Sequence, residues 1–289
     1  VSFTKALASA GRINEVFAIC TTMESPKSRM EKVSDKKCEA VLFDHVQFRY
    51  HGSKEPALSD VTFSVSKGET VGIIGGTGSG KSTLVNLIPR FYDASEGRVL
   101  FDGADVKEYP MEKLRGKIGI VPQKATLFRG TIRANIQWGK QDATDEEIYE
   151  ALEIAQAKEF VQEKPKALDT MISQGGKNLS GGQRQRLTIA RALVRKPEVL
   201  ILDDSASALD FATDAKLRKA IVEKTKDMTV FLVSQRAASI LHADKIIVMD
   251  DGMVAGIGTH QQLLKTCEVY REICYSQLSK EEVEQYEKE

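Results

Sequence analysis

The spacing of apolar positions changes along the chain, and each change predicts a different element. In residues 1–20, Ala6, Leu7, Ala10, Ile13, Phe17 and Cys20 recur at helical intervals. Such a helix either packs on a partner or lies loosely at the terminus, and composition alone allows both. Thr21–Lys37 is polar, contains Pro26 and reads as a linker. From Val41 the pattern becomes strand-like. Val41–Tyr50 and Leu58–Val65 carry β-branched and aromatic residues in partial alternation, with Gly52 and Pro56 between them. Val71–Ile74 is a short apolar run that ends in glycines and leads into a predicted helix over Lys81–Phe91. Arg98–Phe101 and Lys117–Val121 read as further strands, and about Thr131–Lys196 reads as mostly helical. Strands and helices then alternate over Val199–Asp203, Asp210–Lys224, Thr229–Val233, Ala237–Leu241 and Lys245–Met249. That alternation predicts a mainly parallel sheet covered by helices. Asp250-Asp251-Gly252 predicts a hairpin turn before Met253–Ile257. Leu264, Cys267, Tyr270, Cys274 and Leu278 mark one face of a final helix, and the charged Lys280–Glu289 is expected to fray.

A chain of 289 residues can form one large α/β domain with an attached subdomain, or two small domains. Lys+Arg and Asp+Glu both number 41, so a net charge of zero argues against broad electrostatic binding to nucleic acid or anionic lipid. The longest apolar runs, such as Val199–Leu202 and Val230–Val233, are strand-sized and far short of the roughly 20 residues that span a bilayer. Cys20, Cys38, Cys267 and Cys274 have no metal-site spacing and read as reduced thiols of a cytosolic protein. No signal peptide is visible. The first residue is Val1 rather than Met, so a fragment of a longer protein is expected.

Three stretches carry chemistry. Gly75-Gly76-Thr77-Gly78-Ser79-Gly80-Lys81-Ser82 fits the phosphate-loop pattern G-x-x-x-x-G-K-[ST], and Thr83 extends the candidate nucleotide-binding set. Glycines let successive N–H groups curl towards phosphate oxygens, and the following helix adds its positive N-terminal end. Lys81 supplies a charge for the β- and γ-phosphates, and Ser82 offers a hydroxyl to Mg2+. A glycine-rich turn with an incidental lysine is the alternative, which the strand before and the helix after weigh against. The second stretch, Val199–Leu202, is apolar throughout, as a strand buried on both faces should be. It ends in Asp203 and Asp204, at the strand end where ligands sit in open α/β sheets, so Asp203 suits a water-mediated Mg2+ partner. The third is Leu179-Ser180-Gly181-Gly182-Gln183, before a helical run through Arg195. Ser180 can cap that helix, and Gln183 can complete a capping box.

Taken in this order, the phosphate loop, Leu-Ser-Gly-Gly-Gln and the carboxylate strand resemble the ABC (ATP-binding cassette) family, over nearly the whole chain. The resemblance implies an α/β fold: a P-loop NTPase core with a mainly parallel sheet, an N-terminal antiparallel β subdomain and a helical signature subdomain. Residues 38–279 would be the nucleotide-binding domain, 1–37 a linker helix following a transmembrane domain expected before Val1, and 280–289 a charged tail. It also implies ATP and Mg2+. Ser82, Gln123 and Asp203 would hold the metal, and Tyr50 would stack on adenine, unless it is a strand-packing tyrosine. Ser180, Gly181, Gly182 and Gln183 would complete the site of a second ABC domain paired head-to-tail, and Ser207–Asp210 matches the loop bridging the two sites, with Asp210 in the nucleotide-binding set. Thr126–Ile136, Ser9 with Arg12–Phe17, and Tyr270–Ile273 resemble exporter segments. They imply a place at the cytoplasmic face of a membrane.

Departures from the family pattern fall mainly at one place. Asp204 stands where the family has Glu to polarise water, a reach shorter by about 1.5 Å. Gln235 stands where the family has His against the γ-phosphate, and Gln cannot exchange a proton near neutral pH. Thr170–Gly176 lacks the usual Gly and Glu before the signature, and Gly76 is an unusual P-loop choice. With Asp204, Gln235 and Gln123 as catalytic candidates, the expectation is a site that binds Mg·ATP and hydrolyses it slowly, in a heterodimer whose other chain holds the competent site. A homodimer that tolerates Asp and Gln, or an engineered variant, is the alternative. A stand-alone soluble ATPase acting on DNA or ribosomes, and a purely regulatory nucleotide-binding module, are the rivals to export.

Overall fold

The computed structural model describes residues 2–18, 23–26, 39–205, 207–225 and 227–278. Cys20, Cys38, most of Thr21–Lys37 and the 280–289 tail lie outside the described residues. Helix α1 (Ser2–Phe17) opens the chain with Leu7, Ile13, Val16 and Phe17 exposed.

β1 (Glu39–Phe48) and β2 (Leu58–Ser66) pair antiparallel. β3 (Thr70–Gly75) crosses to a second sheet and runs through the glycine loop into α2 (Lys81–Leu87). The predicted helix over Lys81–Phe91 is therefore shorter than expected. Pro89 has no N–H to continue it, and Arg90 adopts φ +53°. β4 (Glu96–Phe101) returns beside β1, and β5 (Ala104–Asp105) borders it, giving the antiparallel order β2-β1-β4-β5.

α3 (Met111–Lys117) leads into β6 (Ile118–Val121). A helical layer follows: β7 (Gly130–Thr131), α4 (Ile132–Gln137), α5 (Asp145–Ile154), α6 (Lys158–Gln162), β8 (Met171–Ile172) and α7 (Gly181–Leu193), with β7 paired to β8. β9 (Val199–Asp203), α8 (Phe211–Lys224), β10 (Thr229–Val233) and β11 (Lys245–Asp250) then alternate. β12 (Met253–Gly258) folds back on β11 through a turn whose Asp251 and Gly252 both have positive φ, as the hairpin reading requires. The second sheet runs β12-β11-β3-β10-β9-β6, parallel except for β12.

Two expected helices differ. Ala237–Leu241 contributes one 3-10 turn, Ala237–Ser239. The final helix is two, α9 (His260–Thr266) and α10 (Glu268–Gln277), because Cys267 is extended between them. Its side chain packs against β12 at Gly256 instead of continuing the helix.

The core explains the apolar runs. Val199 and Ile201 of β9 face the antiparallel sheet's cluster, while Leu200 and Leu202 face the helical layer. A strand buried on both faces has no solvent side to be polar. The helical layer has its own internal bolt, Asn135, which is 1% exposed. Its Oδ1 accepts from the Phe128 N–H at 2.9 Å, and its Nδ2 donates to the Phe128 and Thr131 carbonyls at 2.9 and 3.0 Å. Truncation would leave these partly buried backbone groups without their side-chain partner. Asn135→Ala is expected to lower unfolding stability by about 2–4 kcal/mol in urea titration. A loss under about 1 kcal/mol would show that the loop repacks without it.

Candidate nucleotide-binding site

The site lies where β3, β9 and β10 end. Gly75 leaves β3 beside β11, and a Cβ there would meet the Met249 carbonyl oxygen at 2.1 Å. Gly80 adopts φ +94° just before α2, and a Cβ would lie 2.9 Å from Leu58 Cδ2. Those two positions require glycine. Gly76 has open space around it and ordinary φ, so its identity is not dictated by the loop.

Lys81, 8% exposed, folds over the loop. Its Nζ donates to the Gly75 and Gly76 carbonyls at 3.0 and 2.6 Å and to Ser79 Oγ at 3.3 Å. Burial lowers its pKa, and the charges of Asp204 and Asp203 oppose that shift. The next residue, Ser82, donates from Oγ to Asp203 Oδ1 at 3.0 Å. Burial raises the pKa of Asp203 and the Asp204 charge adds to this, against the Ser82 hydrogen bond and the Lys81 charge. Gln123, beyond β6, donates from Nε2 to Asp204 Oδ2 at 3.0 Å.

Tyr50 closes the other end. Its hydroxyl lies 2.9 Å from Thr83 Oγ1, and Phe48 and Tyr92 meet its ring edge-on. The ring remains 38% exposed, which leaves surface for a planar ligand.

Together these side chains line a cleft of about 340 Å³. It takes in Tyr50, Thr77, Gly78, Gly80 and the run Lys81–Thr83, with Gln123, Asp203, Asp204 and Gln235 facing them. Gly75, Gly76 and Ser79 build the loop from behind, outside the lining. Ala57, Val233 and Ser234 also line the cleft and carry no motif. For Val233 and Ser234 the available signal was β10 itself, since the carboxyl ends of parallel strands gather at ligand sites.

The signature residues are placed elsewhere. Ser180 caps α7 with a complete capping box: Gln183 N–H donates to Ser180 Oγ at 3.2 Å, and Ser180 N–H to Gln183 Oε1 at 3.1 Å. Neither they nor Gly181 and Gly182 line the cleft. Asp210 is also outside it, capping α8 through bonds from the Thr213 N–H and hydroxyl at 2.9 and 2.8 Å.

The oxygen donors fit a hard cation. Ser82 and Asp203 present oxygens beside each other, and Gln123 has an amide oxygen to offer. No cluster of three or more His, Cys, Asp or Glu able to hold a metal exists among the described residues. A cation at Ser82 and Asp203 would complete its coordination with oxygens of water or of a bound ligand.

Comparison with known proteins gives the family. Residues 58–207 match the family model described as ABC transporter. The "Uncharacterized ABC transporter ATP-binding protein YfiB" of Bacillus subtilis strain 168 is 44% identical over 279 residues, covering 96% of this chain and 48% of that protein. The "Probable multidrug resistance ABC transporter ATP-binding/permease protein YheI" of the same organism is 44% identical over 265 residues, covering 92% of this chain and 45% of that one. A solved structure described as a bacterial Atm1-family ABC exporter with ATP bound superimposes with a TM-score of 0.87 at 32% identity, covering 96% of this chain and 48% of that chain. The chain spans about half the length of the curated relatives it matches. The family match over residues 58–207 and the 44% identity across nearly the whole chain place it in the ABC transporter family as an ATP-binding domain.

Proposed function

We propose that this chain is the ATP-driven half of a membrane exporter, with a nucleotide site that binds Mg·ATP and turns it over slowly. The observation that carries this is the single cleft where Lys81, the Ser82–Asp203 pair, the Gln123–Asp204 pair and Gln235 converge while the signature helix stays outside. Lys81 and the loop N–H groups hold phosphates. Ser82, Asp203 and Gln123 would hold Mg2+, which neutralises phosphate charge when bound. Asp204 orients the attacking water, and Gln235 faces the γ-phosphate.

The signature supports a head-to-tail pair. A Cβ at Gly181 would meet nothing closer than 3.9 Å, and at Gly182 nothing closer than 3.3 Å. Packing within the chain therefore leaves Gly181 free to vary, while a Cβ at Gly182 would crowd the Ala208 carbonyl oxygen. The capping box occupies the Ser180 and Gln183 N–H groups, and those of Gly181 and Gly182 between them suit a phosphate brought by a facing domain. Because the signature is intact and the hydrolytic positions are not, the facing domain is a different chain whose own site is competent. The permease and exporter descriptions of the relatives support a membrane-spanning part in the whole protein. Among the described residues no helix is long and apolar enough to cross a membrane. A purely regulatory nucleotide-binding module is the second reading, favoured by Asp204 and Gln235, and turnover separates the two.

Restoring both hydrolytic positions tests the slow-site reading. Asp204→Glu with Gln235→His is expected to raise steady-state ATP hydrolysis at least about tenfold, because well-placed acid–base help contributes about 10²–10⁴ in rate. ATP affinity, measured alongside, should stay level. A parent chain that is already fast, with no gain in the double variant, would sink the slow-site and heterodimer readings together.

Asp203 gives a second test. Its raised pKa means that the folded chain holds this proton more tightly than the unfolded one. Its contribution to stability therefore falls as pH rises from an unfolded value of about 3.9 through the raised folded value. At neutral pH the ionised, partly buried carboxylate opposes folding until a cation joins it. Asp203→Asn is expected to raise the thermal midpoint in Mg2+-free buffer at neutral pH, and to lose the further rise that Mg·ATP gives the parent. A lower midpoint in the variant without Mg2+ would contradict this account.

A further inference from the structure

Gln235 leaves the sheet just after Ser234, whose N–H makes the last ladder bond, to the Ile73 carbonyl at 3.0 Å. The next helical turn begins at Ala237. Gln235 and Arg236 therefore have no ladder to hold their backbone. Ser234 supplies a local turn, its Oγ accepting from the Arg236 N–H at 2.9 Å. The Arg236 carbonyl accepts from the Ser239 N–H at 3.1 Å and from Ser234 Oγ at 3.3 Å, and a further tie, the one that reaches the Gln235 carbonyl, comes from the far end of the chain. Gln277, the last residue of α10, donates from Nε2 to the Gln235 carbonyl at 2.8 Å. Its Oε1 accepts from the Ala237 N–H, also at 2.8 Å. One side-chain amide thus bridges the backbone on both sides of Arg236, as a neighbouring strand's peptide would.

The bridge stands on a fixed support. Tyr270 and Cys274 of α10 are fully buried with Ile74, Ala237 and Ile240, and Leu278 N–H closes the helix on the Cys274 carbonyl at 2.8 Å. We propose that Gln277 is a positioning residue: its amide clamps the loop after β10 and so sets where the Gln235 side chain enters the nucleotide cleft. A displacement of α10 would reach the nucleotide through the same two hydrogen bonds. This rests on the reading that Gln235 faces the γ-phosphate. The Gln277 amide bonds to the loop after β10 and to neither the phosphate loop nor Tyr50, so its loss should affect ATP more than ADP.

The experiment measures ATP and ADP affinities of the 289-residue chain with Mg2+ by isothermal titration calorimetry. Gln277→Ala is expected to lower the preference for ATP over ADP about 2- to 10-fold, the worth of a net hydrogen bond or two, with ADP affinity held. Gln235→Ala should lower it too, and the double variant should be no worse than Gln235→Ala alone. If Gln235→Ala leaves the preference unchanged, the γ-phosphate reading fails and the clamp's role fails with it. If Gln235→Ala lowers it and Gln277→Ala does not, or the losses add, the clamp alone is wrong.

Gln277→Glu decides the matter should Gln277→Ala also lose ADP. Its ionised carboxylate can accept from the Ala237 N–H but repels the Gln235 carbonyl. Protonated, it donates to that carbonyl and restores both bonds. Normalised to the parent at each pH, its ATP preference should begin to recover as pH falls from about 7.5 to about 4.3, where an exposed glutamate is half protonated. A pH-independent deficit would overturn the proposal.

Discussion

Val233 on β10 pairs with Ile73 of β3 on one side and with Asp203 of β9 on the other, and these parallel registers bring three distant segments into one line. Just past that line the chain supplies the glycine loop from β3, Asp204 from β9 and Gln235 from β10. The mutual placement of Lys81, Asp203, Asp204 and Gln235 inherits from this ladder. A one-residue slip of β9 would turn Asp203 to the opposite face and bring a leucine or the second aspartate to Ser82. The slip is prevented by packing. Alternate residues of β9 belong to two different cores, so a shift would exchange their neighbours throughout.

The ladder also forces charges together out of water. Lys81, Asp203 and Asp204 share a partly buried volume, with the Lys81 pKa pushed down and that of Asp203 pushed up by the same burial. Neither shift serves folding. Ionised groups held in a poorly solvated site wait for a ligand to replace the water they lost. The loop carbonyls and Ser79 occupy the Lys81 ammonium meanwhile, so phosphate oxygens would exchange with existing hydrogen bonds. Binding affinity is thus a difference between two satisfied states.

Much of the site was legible because its determinants are local. The phosphate loop, the Ser180–Gln183 capping box and the Asp251–Gly252 turn each depend on residues within a few positions of one another. β9 was legible because burial on two faces leaves a continuous apolar run. What could not be read was long-range. Tyr50 reaches Thr83 across a crossing between sheets, and Gln277 reaches Gln235 over 42 residues. Ala57 joins the cleft only because the turn into β2 passes under Gly80. The break at Cys267 was hidden for the same reason: apolar spacing continues through it, and packing against Gly256 of β12 decides the backbone.

Asp204 shows how local geometry and chemistry pull apart at one residue. It holds φ +45°, a left-handed conformation that Asp accepts more readily than Glu because its short side chain bonds locally. Its N–H donates to the Val233 carbonyl at 2.9 Å, tying that conformation to the ladder. Glu would add strain to the backbone but extend the carboxylate; Asp relieves the strain and withdraws it. The withdrawn carboxylate accepts a hydrogen bond from Gln123, which occupies one oxygen. Gln235, across the cleft, brings an amide that can hold a phosphate oxygen but cannot exchange a proton. On the proposed slow-site reading, these two side chains leave the holding groups in place and weaken the step that breaks the bond. On that reading the domain would gain from remaining closed on its nucleotide, with a second, faster site setting the pace of opening.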